Sequence, residues 1–112
     1  MSKKTTTNPR DLETEAQFQA RVIQVARMYG WSVYSIPDSR RATLAGYPDL
    51  TMYRRVDRRI VFAELKREKG RVAPVQEQVL SDLRAIASTG KCEVYVWRPS
   101  DWDRIIEVLK FQ

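Results

Sequence analysis

Two strand-like segments, Asp49 to Arg54 and Ile60 to Lys66, are separated only by Arg55-Val56-Asp57-Arg58-Arg59, and this spacing constrains the chain more than any other feature. An antiparallel hairpin is the economical reading of the two segments, with its turn type left open. Symmetric pairing about the Val56-Asp57 step sets Asp49 directly opposite Glu64. Their Cβ atoms then lie about 4.5 to 5.5 Å apart on one face of the sheet. Period-two alternation puts Lys66 on that face as well, about 7 Å further along the strand.

Ile60 and Phe62 precede Glu64 and Lys66 on the same face, so the face begins apolar and ends charged. Val61, Phe62, Ala63 and Leu65 make the second segment almost continuously apolar, as in a strand buried on both sides, where Glu64 is out of place. Burying such a charge is costly unless it is paired or binds a metal. One reading is a cross-strand salt-bridge ladder on a solvated face. The other is a pair of hard oxygen ligands for Mg²⁺ or Mn²⁺, and the apolar setting of Glu64 favours it. Such an ion activates water and stabilises charge on a scissile phosphate. Lys66 would then orient or deprotonate the water, or neutralise the phosphorus centre; the sequence leaves these roles open.

The rest of the chain surrounds this hairpin. Thr14-Glu15-Ala16-Gln17 has the form of a capping box, and Phe18, Val22, Val25, Ala26 and Tyr29 recur at helical spacing up to Gly30. The segment before it, residues 1–13, reads as a disordered basic tail, leaving 14–112 as a single domain. Trp31 to Ile36 is a first strand, and Pro37 to Pro48 a polar, turn-forming loop. Pro74 opens a second helix with Val75, Val79, Leu83, Ile86 and Ala87 on its apolar side. Cys92 to Trp97 alternates as a fourth strand, and Ser100 is placed to cap a last helix carrying Trp102, Ile105, Ile106 and Leu109. The class is α/β: an αβββαβ core with a mixed four-stranded sheet flanked by helices, plus a C-terminal helix. The right-handed strand-helix-strand crossover is what makes the sheet mixed.

Composition narrows the chemistry. The 112 residues contain no histidine, which removes Ser-His and Cys-His hydrolases and the usual zinc ligands together. One cysteine, Cys92, excludes an intrachain disulfide and reads as core packing. A net charge of +6 favours polyanionic partners. No apolar run reaches membrane-spanning length and no signal peptide is visible, so the expectation is a soluble, intracellular protein without a membrane partner.

Pro48-Asp49, followed on the next strand by Glu64-Leu65-Lys66, resembles the PD-(D/E)XK nuclease signature. Glu15, Gly46-Tyr47-Pro48-Asp49-Leu50 and Gln76 make the resemblance closer to its VRR-NUC branch, in a standalone form of the virus or phage type. A restriction-endonuclease-like core is the implied fold, and host cytoplasm the implied location if the source is viral. The resemblance implies that Asp49 and Glu64 bind the catalytic metal with the Leu65 main-chain carbonyl, and that Glu15 completes the metal site. It also implies that Lys66 is the catalytic lysine and that Gln76 belongs to the active site. Standalone members are associated with junction-resolving cleavage, which implies branched DNA such as Holliday junctions as substrate. Symmetric cutting implies a homodimer, joined through Trp102, Ile106 and Leu109 unless those residues finish the monomer core.

Arg40 and Arg41 before the hairpin, and Lys69 and Arg71 after it, are candidates for phosphate contacts. Arg54, Arg55, Arg58 and Arg59 form a basic hairpin tip that either reaches a second backbone or serves solubility. Trp31, Trp97 and Trp102 are candidates for stacking on unpaired bases, but Trp102, at helical spacing with Ile105 and Ile106, reads as core or interface packing. Two alternatives to a nuclease stand beside it: a noncatalytic nucleic-acid-binding module on the same fold, and a protein-interaction domain with an incidental charge ladder.

Overall fold

A computed structural model of the chain describes residues 9–111. Residues 1–8 of the expected tail lie outside the described residues, whereas Pro9–Leu12 form a single helical turn, α1. Glu13 follows it and is held by a two-point ion pair with Arg21, at 2.6 and 2.7 Å.

Helix α2 (Glu15–Met28) starts where the sequence indicates. The Thr14 hydroxyl accepts the Gln17 N–H at 3.1 Å, while Gln17 Oε1 accepts the Thr14 N–H at 2.9 Å, completing the capping box. Gly30, at φ 87°, turns the chain out of the helix into β1 (Ser32–Ser35). Strands β2 (Leu50–Arg54) and β3 (Arg59–Leu65) form the hairpin, α3 (Pro74–Ala87) crosses over, and β4 (Cys92–Trp97) lies parallel to β3. The sheet order is β1-β2-β3-β4 with the first two pairings antiparallel, so the sheet is mixed.

The hairpin register is the expected one: Leu50 pairs with Ala63 and Thr51 with Phe62. One sheet face therefore carries Leu50, Met52, Val61, Ala63 and Leu65, and these are fully buried with Phe18, Val22 and Ala26 of α2. Helix α4 (Trp102–Leu109) adds Ile105 and Leu109 to the same core. The helix begins differently from the sequence reading. A 3-10 turn, Pro99–Asp101, precedes it, Asp101 rather than Ser100 is its N-terminal flanking residue, and the Ser100 N–H donates to Glu68 Oε1. Burial of Leu109 and the half-burial of Trp102, whose ring lies 4.1 Å from the Arg21 guanidinium, place the last helix in the monomer's own core.

The opposite sheet face is only partly covered. Helix α3 fully buries only Leu80, and Val75 and Ile86 of its expected apolar face are exposed. The hairpin tip also departs from expectation. Arg54 and Arg59 turn inward and are buried, leaving Arg55 and Arg58 outside. Trp31 is the reason: its ring lies 4.5 and 5.0 Å from their guanidinium carbons, and such cation–π contact lets the arginine stems pack inside.

Candidate active site

The loop before β2 delivers Asp49 by a close approach that only glycine permits. Gly46 sits at φ 82°, and a Cβ there would lie 2.7 Å from the Val75 carbonyl oxygen of α3 and 3.0 Å from Val79. Tyr47 then packs edge-on against Phe62 at 6.2 Å between ring centroids, and Pro48 and Asp49 are buried.

The Asp49 carboxylate is engaged at both oxygens. Oδ2 accepts the Leu65 main-chain N–H at 2.8 Å, and Oδ1 accepts from Arg41 at 3.0 Å. Arg41 also donates to Asp38 at 3.1 Å, so it bridges two carboxylates, and these hydrogen bonds, Asp49 foremost, push its ionisation further up.

Glu64 is 1% exposed. Its Oε2 accepts from Gln76 Nε2 at 2.8 Å and lies 3.4 Å from Lys66 Nζ. Oε1 is buried and meets no hydrogen-bond donor among the described residues. Desolvation, followed by repulsion from Asp49, pushes the Glu64 carboxyl up to about 7 against the attraction of Lys66. Gln76 is itself fixed, because its Oε1 accepts the Ala73 N–H at 2.8 Å where α3 begins. Its amide therefore presents its NH₂ group to Glu64.

A cleft of about 590 Å³ opens on Asp49, lined also by Glu15, Asp38, Arg41 and Leu65 among others, while Glu64, Lys66 and Gln76 do not line it. Asp49, Glu64, Leu65, Lys66 and Gln76 are thus gathered at one end of the hairpin, and Glu15 faces the same cleft from the first turn of α2. Arg41 is part of the cluster, whereas Arg40, Lys69 and Arg71 are exposed outside it. Lys69 lies 3.8 Å from Asp11. Asp38 and Arg98 join this region without a sequence motif that marks them. Arg98 donates to the carbonyls of Arg67, Glu68 and Gly70 and so pins the turn after Lys66, a contact across about thirty residues that leaves no local trace in sequence.

No group of three or more His, Cys, Asp or Glu residues suited to holding a metal occurs among the described residues. The donor set is smaller: two carboxylates and a neighbouring main-chain carbonyl. It suits Mg²⁺, which takes one or two protein carboxylates and fills its remaining positions with water and phosphate oxygen. The unpartnered Glu64 Oε1 is the atom such an ion would satisfy. Among the described residues, no helix is long and apolar enough to cross a membrane. No family model, curated protein or solved structure matches the chain.

Proposed function

We propose that the protein is a Mg²⁺- or Mn²⁺-dependent endonuclease of the VRR-NUC type that hydrolyses phosphodiester bonds in branched DNA, acting as a homodimer on junctions. The observation that carries this reading is Glu64: a buried carboxylate beside a second carboxylate, with one oxygen unpartnered and its ionisation displaced to about 7. A salt-bridge ladder has no need of such an atom. Strong displacement by burial plus a specific charge partner is the pattern found at working sites.

In this reading Asp49, Glu64 and the Leu65 carbonyl hold the ion, and Glu15 reaches the same cleft from α2. When bound, the ion supplies an acidified water and charge stabilisation on the phosphate. Gln76 holds Glu64 in place. Lys66, whose ammonium stands 3.4 Å from Glu64, donates to the oxygen that gains charge as the bond breaks. The net charge of +6 draws the polyanion in, and Arg40, Arg41, Lys69 and Arg71 supply phosphate contacts around the cleft.

The test is incubation with single-stranded, duplex, flap and four-way-junction DNA in Mg²⁺, Mn²⁺ or EDTA. Cleavage requires the metal, favours the branched substrates, and falls about 100-fold or more in Lys66→Ala. Equal rates on linear duplex and junction would refute the preference for branches. Binding of every substrate without cleavage in either metal would instead favour the noncatalytic module.

A further inference from the structure

The sheet face that carries Glu64 continues, beyond the cover of α3, into an open aromatic surface. Tyr34 and Tyr53 are diagonal neighbours on β1 and β2, stacked at 5.8 Å between centroids with planes 20° apart. Their hydroxyls lie 3.3 Å from each other. They are 57% and 43% exposed, and Ile60, paired with Tyr53, is 44% exposed. None of these side chains belongs to the core.

The surroundings indicate what kind of molecule lies on this face. Arg55 and Arg58 at the hairpin tip are exposed, and both line a hollow of about 430 Å³ with Tyr53 and Ile60. Tyr34 pairs with Thr51, two residues from Asp49, and the Thr51 hydroxyl donates to Tyr47 at 3.4 Å. The face thus leads from a cationic tip, over two flat rings, towards Phe62, where Tyr47 packs on it, and the carboxylates beyond are buried. From Tyr53 to Asp49 is about 13 Å along the strand, a span of a few nucleotides. A second copy of the chain would bring like-charged tips and rims into its contact. An unpaired nucleic-acid strand brings phosphates for the arginines and bases for the rings.

We propose that Tyr34 and Tyr53 form a stacking platform for unpaired bases, so that the substrate reaches the site as a single strand or flap laid along this sheet face. The proposal rests on the nuclease reading for what happens at the carboxylates, but not for the binding itself. The tryptophans do not compete for this role: Trp31 and Trp97 are buried and Trp102 is covered by Arg21.

The test measures binding of fluorescein-labelled oligo-dT, and of a duplex of equal charge, by anisotropy in EDTA. Tyr34→Ala and Tyr53→Ala each weaken oligo-dT binding about tenfold while duplex affinity is unchanged, and Tyr53→Phe, which keeps the ring, binds as wild type. Wild-type oligo-dT affinity in both alanine variants would overturn the platform. So would an equal loss on duplex, or light scattering that shows either variant converting a dimer to a monomer. Because no metal is present, these outcomes are independent of the nuclease reading, which Asp49→Ala cleavage in Mn²⁺ tests separately.

Discussion

The two ends of the β2-β3 hairpin both bury charge, and they treat it in opposite ways. At the tip, Arg54 makes paired bonds to Asp57 at 2.9 and 2.7 Å and donates to the carbonyls of Tyr29, Leu109 and Lys110. Its guanidinium also packs on Trp31 and Phe111. Arg59 grips Glu93 at 2.6 and 2.7 Å, with only Nη1 lacking a hydrogen bond, 3.7 Å from Asp57. At the other end, Glu64 and Asp49 are two acids set side by side, and Glu64 keeps an oxygen unpartnered. Charge that is nearly all satisfied ties β2 to the C-terminal helix. Charge left partly unsatisfied lies at the end where the proposed cation would bind.

Their titration differs in the same sense. The Arg54 hydrogen bond holds Asp57 below the usual range; burial pushes Glu93 up, but its bonds to Arg59 and Tyr95 outweigh that and leave it lowered. Stability from these acids is present above their unfolded values and is lost as pH falls. Glu64 is raised, so the folded state binds the extra proton, and its cost to stability grows as pH rises from the unfolded value of 4.5 towards about 7.

The largest effect on stability is expected at the tip. Arg54→Ala strands the Asp57 carboxylate and three main-chain carbonyls, and costs about 3 kcal/mol in urea-unfolding free energy. An effect below that of an ordinary surface substitution would mean that the two ends do not differ in kind.

A smaller effect, of opposite sign, is expected at the carboxylate end. Glu64→Gln in metal-free buffer raises the thermal midpoint at pH 8 by roughly 5 °C. At pH 4 the gain disappears, since wild-type Glu64 is then protonated as well. A scan of midpoint against pH checks both, and a gain that is constant with pH would remove the electrostatic explanation.

The carboxylate end is legible in the sequence and the tip is not, for a physical reason. A short symmetric hairpin fixes its own register, so Asp49 opposite Glu64 followed from local spacing, as did Lys66 on the same face. The inward turn of Arg54 and Arg59 depends on Trp31, Leu109 and Phe111, which are remote in sequence, and four arginines beside a turn look alike until those partners are placed. Arg41 reads from sequence as a candidate phosphate contact, but its contact with Asp49 depends on the path of the Pro37 to Pro48 loop, which has no periodicity to read. The capping box of α2 was local and therefore legible; the 3-10 turn that displaces Ser100 from the cap of α4 involves Glu68 across the fold.

The central claim is that Asp49 and Glu64 together bind a divalent cation, and calorimetric titration with Mn²⁺ at pH 7.5 tests it most directly. Wild type binds Mn²⁺ with release of a fraction of a proton as Glu64 ionises, whereas Asp49→Ala and Glu64→Ala, shown by circular dichroism to be folded, give no binding heat. Mn²⁺ binding of wild-type strength in both variants, or none in wild type, would contradict it.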